Sequence, residues 1–329
     1  MNWNRWVLCA ALCVSFAACG DNEEIAPPSC EVEPEQAHCE VEPPVDTPDP
    51  PPDEVTEIPE TCNGSVELCD RTFDQVAFAG THNSMSVAAE GWSIPNQNLS
   101  MRMQLQSGIR VFLFDVHTDA LESVPAGQKP VLYLCHTLCF IGKRPLADGL
   151  IDFRDFLLTE RGEVLTFIIQ DEVPVDDLFE ALEAAGLERW AYVYEGGEWP
   201  TMRELIDTNK RLIVSVERGQ PTQAWGRKVW DIAFDNPYTY TELDEMDCRA
   251  NRGSTSNSLF LMNHWLGPVS DPKLSEVANT FEALMTHAET CRDRHGRWPN
   301  FIAVDHYDLG DLMEVVDEVN ARIGGELAL

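Results

Sequence analysis

"QVAFAGTHNSMSV", residues 75–87, runs an apolar stretch, Val76 to Ala79, up to a glycine, and a histidine and an asparagine follow at once. A short apolar run closed by glycine reads as a buried strand, so His82 and Asn83 stand where that strand runs out. The pattern recurs. Apolar runs at 75–79, 109–115, 131–134, 164–169, 212–216, 259–262 and 301–304 each end in residues capable of chemistry. These ends are His82-Asn83, Asp115-x-His117, His136, Gln170-Asp171-Glu172, Glu217-Arg218, Asn263-His264 and Asp305-His306. Amphipathic segments of helical length lie between them, at 98–107, 146–159, 175–185, 202–209, 273–290 and 309–323. Strand and helix alternating in this way predict an α/β domain with a parallel sheet covered by helices. The span, 62–329, fits a single domain built as a TIM-type (β/α) barrel, with an open doubly wound sheet as the rival. In a barrel all strands point one way and their C-terminal ends share a rim. A histidine ending one strand can then meet groups far away in sequence. Taken singly, each of these residues has a blander reading, as a loop residue or, for the acids, a helix N-cap.

The first eighteen residues read as a signal peptide. Arg5 gives a basic flank, and Trp6 to Ala18 form an apolar core too short to span a bilayer. "FAAC" ends in Cys19 and resembles a bacterial lipobox, which implies cleavage before Cys19, lipidation of its thiol, and a membrane held through that N-terminal anchor. Export is therefore expected, as a tethered lipoprotein or a secreted protein.

The net charge of −33 is unevenly spread. Residues 20–61 carry fourteen Asp or Glu, no Lys or Arg, and ten of the twenty-one prolines. Such a segment cannot bury enough surface to fold and repels itself, so 19–61 is expected to be a disordered acidic spacer. With that spacer and Arg5 removed, 62–329 keeps about −20, a charge that disfavours nucleic acid as a partner.

Beyond the leader and Cys19, eight cysteines remain: Cys30, Cys39, Cys62, Cys69, Cys135, Cys139, Cys248 and Cys291. In an oxidising compartment they allow up to four disulfides. The local pairs 30–39, 62–69 and 135–139, with 248–291 as a long bridge, are one arrangement. Zinc is the weaker alternative, since no CxxC occurs.

Three stretches, "CNGSVELCDRTFDQVAFAGTHNS", "NQNLSMRMQLQSGIRVFLFDVHTD" and "LYLCHTLC", resemble the X-domain of phosphatidylinositol-specific phospholipases C, and more closely the secreted PLC-like phosphodiesterases of bacteria, fungi and plants. "EVLTFIIQDEVP", "NKRLIVSVER", "DCRANRGS" and "TCRDRHGRWPNFIAVDHYD" follow in the same order. The resemblance implies a distorted TIM-type barrel, cleavage of a phosphodiester, and cysteine pairs at 62/69 and 248/291. It makes His82 the general base, His136 the general acid and Asp305 the carboxylate that orients the base. Two imidazoles suit proton transfer on either side of a phosphate near neutral pH. Asn83, Arg218 and His117 are candidate substrate contacts, and Arg110 lies in the motif but within a strand.

Animal members of the family hold calcium with an Asn, a Glu, an Asp and a further Glu. Asn83 and Asp115 match two of these positions. The other two are Leu113 and Gln170, with Asp171 or Glu172 as substitutes for the latter. The calcium-independent bacterial enzymes carry an arginine where this chain has Asp115. The expected substrate is a phospholipid or another phosphodiester, taken by a monomer; if lipid, "EGWSIP" with Trp92 and "QAWGRKVW" with Trp225 and Trp230 are candidate lipid-facing loops. A non-catalytic barrel that binds phosphorylated ligands, and a sphingomyelinase-type diesterase, are the competing readings.

Overall fold

A computed structural model describes residues 59–136 and 138–327. The readings of 1–18 as a leader, of Cys19 as a lipid site, and of a 30–39 disulfide lie outside those residues.

Among the described residues, ten strands form one sheet: β1 (Phe78–Thr81), β2 (Val111–Thr118), β3 (Leu132–Leu134), β4 (Arg144–Pro145), β5 (Leu165–Asp171), β6 (Leu212–Val216), β7 (Gly226–Lys228), β8 (Ala233–Asp235), β9 (Leu259–His264) and β10 (Phe301–Val304). Eight α-helices of the described residues accompany them: α1 (Met101–Gln106), α2 (Leu146–Thr159), α3 (Val175–Ala184), α4 (Met202–Asp207), α5 (Val229–Ile232), α6 (Pro272–Ala278), α7 (Phe281–His295) and α8 (Leu312–Leu327). The eight principal strands run in the order β7-β6-β5-β2-β1-β10-β9-β8, and every neighbouring pair is parallel. The path ends at β7 and β8 without joining them, so the sheet curls into a barrel that stays open along one side. No helix among the described residues is long and apolar enough to cross a membrane.

Side-chain alternation sorts the core into two layers, as the pleat requires. Phe112, Phe114, Phe167, Ile169, Val214, Phe260, Met262, Ile302 and Val304 pack with the apolar faces of α1, α2, α3, α7 and α8. Their neighbours Val111, Leu113, Ile168, Ile213, Leu261, Phe301 and Ala303 turn the other way, into the barrel, with Phe73, Phe78 and Trp199. Those five helices cover one face, and on the other the strand residues are joined by Met202, Leu205 and Ile206 of α4 and by Val229 and Ile232 of α5. With the curl of the all-parallel sheet, that is barrel architecture and not the doubly wound alternative.

Several expected elements need correction. The run at 131–134 is not one of the parallel strands. β3 pairs antiparallel with β2, and β4 pairs antiparallel with β3, as a side branch. β1 starts at Phe78, because Phe73–Gln75 turns as a short 3-10 helix and Phe78 is the first residue in register with Phe301. The segment 273–290 is two helices. Asn279 ends α6, and its side chain leaves the helix to donate to the carbonyls of Asp305 (2.8 Å) and His306 (3.2 Å). β7 and β8, three residues each, carry too little apolar sequence to be read as strands. Disulfides join Cys62 to Cys69, Cys135 to Cys139 and Cys248 to Cys291.

Candidate active site

β1 and β10 are neighbours, with Thr81 opposite Val304. The next residue on each strand is His82 and Asp305. Each is followed by a residue in the left-handed region, Asn83 (φ 45°) and His306 (φ 45°), which bends the chain away from the rim. Asparagine and histidine are among the non-glycine residues that enter this region most readily. The two bends leave His82 and Asp305 side by side. His82 Nδ1 lies 2.9 Å from Asp305 Oδ1. A carboxylate only accepts, so Nδ1–H donates and Nε2 is left with a lone pair. Asn96 Nδ2 donates to both Asp305 oxygens, at 3.1 and 3.2 Å. With the Asn279 contact to its backbone, Asp305 is fixed on every side. Trp265, the first residue after β9, lies flat on the His82 ring, centroids 3.9 Å apart and planes within 2°.

His136 follows β3, inside the ring closed by the Cys135–Cys139 disulfide. It lines the same cleft as His82. Burial pushes its imidazole below the ordinary histidine range, and the nearby His82 ring adds to that, while Asp305 opposes it. The cleft holds about 330 Å³, and Asn83, Asp115, Gln170, Glu217, Arg252 and Asn263 line its polar part. An adjoining apolar recess of about 180 Å³, walled by Ile94, Leu138, Ile141 and Val269, opens on the same two histidines.

Asp115 points inward with the parity of Leu113. Burial raises its carboxyl well above the usual carboxylate range, and the charges of Glu217 and Glu172 raise it further. Asn83 is buried, and its Nδ2 has no hydrogen-bond partner. His117 is half-buried, its Nε2 also lacks a partner, and burial lowers its imidazole. Neither His117 nor Arg218 is among the residues lining the cleft. The Arg218 guanidinium is exposed and pairs with Glu172. The arginine that does line the cleft is Arg252, held by Asp235 (2.6 and 2.9 Å) and Glu217 (3.1 and 3.2 Å). Burial raises the carboxyls of Glu217 and Asp235 against the pull of that guanidinium. Asn96 and Arg252 sit inside stretches that carry the resemblance, "NQNLS" and "DCRANRGS", yet spacing alone does not single them out. Trp265 had a positional signal, directly after the Asn263-His264 pair that ends an apolar run. Arg110 is structural, bonded to Glu163 (2.7 Å) and to the carbonyls of Leu105 and Ile109.

The PI-PLC X family model (PI-PLC X 1) matches residues 68–320, which contain every residue of this cleft. The chain belongs to the PI-PLC X domain family. A PI-PLC X domain-containing protein of the fungus Arthroderma benhamiae is 27% identical over 283 residues, covering 79% of this chain and 89% of that protein. An uncharacterized secreted protein of the same fungus is 25% identical, and a PI-PLC X domain-containing protein of Arabidopsis thaliana is 26% identical; this chain spans 63% of the length of each. Two structures of the phosphatidylinositol-specific phospholipase C of Staphylococcus aureus match with TM-scores of 0.52 and 0.53, at 13% and 14% identity. They cover 76% and 79% of this chain and 93% and 97% of the other. At that identity the likeness is one of fold.

Calcium finds a poor donor set in this PI-PLC X domain. Leu113 offers hydrocarbon. Gln170 turns its Nε2 toward Glu172 (3.2 Å) and Asp115 (3.5 Å). Asp171 accepts from the backbone amides of Arg218 (2.9 Å) and Gly219 (2.8 Å). Glu172 is taken by Arg218 and Glu217 by Arg252. Asn83 and Asp115 remain, against the six to eight oxygens that calcium takes. The one trio of ligand-type side chains that closes to metal distance among the described residues is Cys248, His287 and Cys291, and its two sulfurs are already bonded to each other.

Proposed function

We propose that this protein cleaves a phosphodiester by attack of a hydroxyl next to the phosphate. His82 Nε2 takes the proton of that hydroxyl as its oxygen bonds to phosphorus. His136 gives a proton to the leaving oxygen as its bond to phosphorus breaks. Asp305, held by Asn96, keeps His82 in the tautomer that can act as a base and balances the charge it gains. The observation that carries this reading is the 2.9 Å contact of His82 with Asp305 on a cleft that His136 also lines. Burial and the neighbouring carboxylates push Asp115 toward its protonated form, and in that form it would donate to a phosphate oxygen instead of repelling it. A bound phosphodiester would also offset the downward push on His136, because an adjacent negative charge favours the protonated ring.

The substrate would have a polar part facing Asn83, Glu217 and Arg252. A phospholipid headgroup and a soluble diester both satisfy that. Export, with attachment through Cys19 and a membrane partner reached by that anchor, belongs to the same proposal. The leader pattern and a secreted relative support the export.

The test is turnover by the full chain on an inositol phosphodiester with an alkyl leaving group. His82→Ala and His136→Ala should each lose about 10²- to 10⁴-fold. Unchanged rates in both would end the assignment. One observation favours a barrel that binds phosphorylated ligands without turnover: Leu113 and Gln170 stand where catalytic animal relatives hold a metal, and Gln170 Nε2 is turned to Glu172 and Asp115. Binding of inositol phosphate by a chain that cleaves no diester would decide for it.

A further inference from the structure

We propose that Trp265 is a positioning residue of this site: its indole face fixes the plane of the His82 ring and stabilises that ring when it carries a proton. This role rests on the catalytic reading above.

Three adjacent strands deliver the group in register. Thr81 of β1 faces Val304 of β10, and Val304 faces His264 of β9. One residue further along the same row stand His82, Asp305 and Trp265. Asp305, in the middle, meets the edge of the imidazole at Nδ1, and Trp265 meets its face. Edge and face are then both occupied, and Nε2 is the part of the ring left to act. Trp265 is itself held. It is 8% exposed, with the Tyr238 ring 6.4 Å away and tilted 30° to it. The residue before it, His264, is anchored at both nitrogens, to Ala278 O (2.8 Å) and to His287 (2.9 Å).

The chemistry follows from the charge of an aromatic face. That face is electron-rich and attracts a cation more than a neutral ring. His82 is neutral before it takes the proton and positive afterwards. The attraction therefore grows as the reaction proceeds, and an interaction stronger in the transition state than in the ground state raises turnover. A residue that merely filled space at this position would not discriminate between the two states.

The experiment uses the full chain and a 4-nitrophenyl ester of inositol phosphate, whose ring hydroxyl neighbours the phosphate. Trp265→Leu should lower kcat roughly three- to thirty-fold, with KM within about two-fold. Trp265→Phe, which keeps a flat face, should recover most of the loss. In a His82→Ala background the Leu change should cost nothing more, because the group it acts through is gone. An equal loss in that background, no loss in Trp265→Leu alone, or a Phe variant as poor as Leu would overturn the role. A second readout needs no turnover. In NMR spectra the His82 ring protons should lie upfield, under the indole ring current, and return downfield in Trp265→Phe and Trp265→Leu to different extents. Unshifted signals in the wild-type chain overturn the stack. Shifted signals in a chain that cleaves no diester support the positioning and remove the catalytic reading alone.

Discussion

His82 and Asp305 are separated by 223 positions, and one parallel strand pair brings them to 2.9 Å. The contact makes a specific demand on Asp305: it must accept from Nδ1. In Asp305→Asn the amide can present its Nδ2–H instead, which favours the tautomer with the hydrogen on Nε2 and removes the base. Turnover is expected to fall about 10²-fold or more while KM stays within a few-fold, measured by steady-state kinetics. Asn96→Ala should cost less, about ten-fold, since it loosens Asp305 without changing its chemistry. The two histidines can be separated by the leaving group. A 4-nitrophenolate departs readily without a proton, and an alkoxide needs one. His136→Ala should therefore be severe on an alkyl diester and mild on the nitrophenyl ester, whereas His82→Ala should be severe on both. An equal loss in His136→Ala on both substrates would remove it as the acid. His82, His136 and Asp305 were legible because the resemblance rests on the residues themselves. Arg218 and Arg252 show the limit. Both follow apolar or motif-bearing stretches, and only side-chain pairing in three dimensions decides that Arg252 lines the cleft while Arg218 turns to Glu172.

The elements that hold the site differ in how openly the chain announces them. β6 and β10 coincide with their apolar runs, because strands buried on both faces need no polar alternation. β7 and β8 were silent, being short and at the open edges of the sheet, where pairing on one side suffices. The candidate lipid loops illustrate the same difficulty. Trp92 is buried against Gly142, at a distance that leaves no room for a β-carbon there. Trp230 lies under the Arg252 guanidinium, 4.1 Å from its ring centroid. An aromatic in a loop is as readily a packing residue as a surface anchor. The His136 loop carries a prediction at this scale. Its disulfide closes a ring of only a few residues, for which the chain-entropy relation gives about 2 kcal/mol, against about 4 kcal/mol for the Cys248–Cys291 ring. Cys135→Ser/Cys139→Ser should thus lower Tm modestly but turnover at least ten-fold, because it frees the acid. Cys248→Ser/Cys291→Ser should show the reverse order, a larger loss of Tm than of activity in the molecules that stay folded. Thermal melts and kinetics on the same preparations check both, and equal activity losses per degree of Tm would deny the His136 loop any special role.

At the scale of the whole molecule, acid stability depends on a buried pair behind the rim. His264 Nε2–H donates to Ala278 O, so His264 Nδ1 accepts from His287 Nδ1–H, and His287 Nε2 is left facing Asn236 Nδ2 at 3.4 Å. This chain of donors works only if both rings are neutral. Burial pushes His264 down to about 4, and burial with the nearness of His264 pushes His287 well below its ordinary value. The unfolded chain takes up these protons below pH 6.5 and the folded one does not, so protons favour unfolding there. The stabilisation is fully present above about pH 6.5 and is lost as pH falls toward 4. His264 alone accounts for roughly 3 kcal/mol by that shift. Asp115, Glu217 and Asp235 act in the opposite sense. Their raised carboxyls bind protons more readily in the fold, so their contribution is present at low pH and lost as pH rises through their folded values. Urea unfolding of the full chain from pH 7.5 to 4 should therefore carry a histidine-dependent loss of stability below about pH 6.5, read as the difference between wild type and a variant that lacks the pair. His287→Gln, which keeps one polar contact but cannot titrate, should be less stable than wild type at pH 7.5 and lose less on acidification. Parallel curves for the two proteins would mean that the acid response comes from elsewhere.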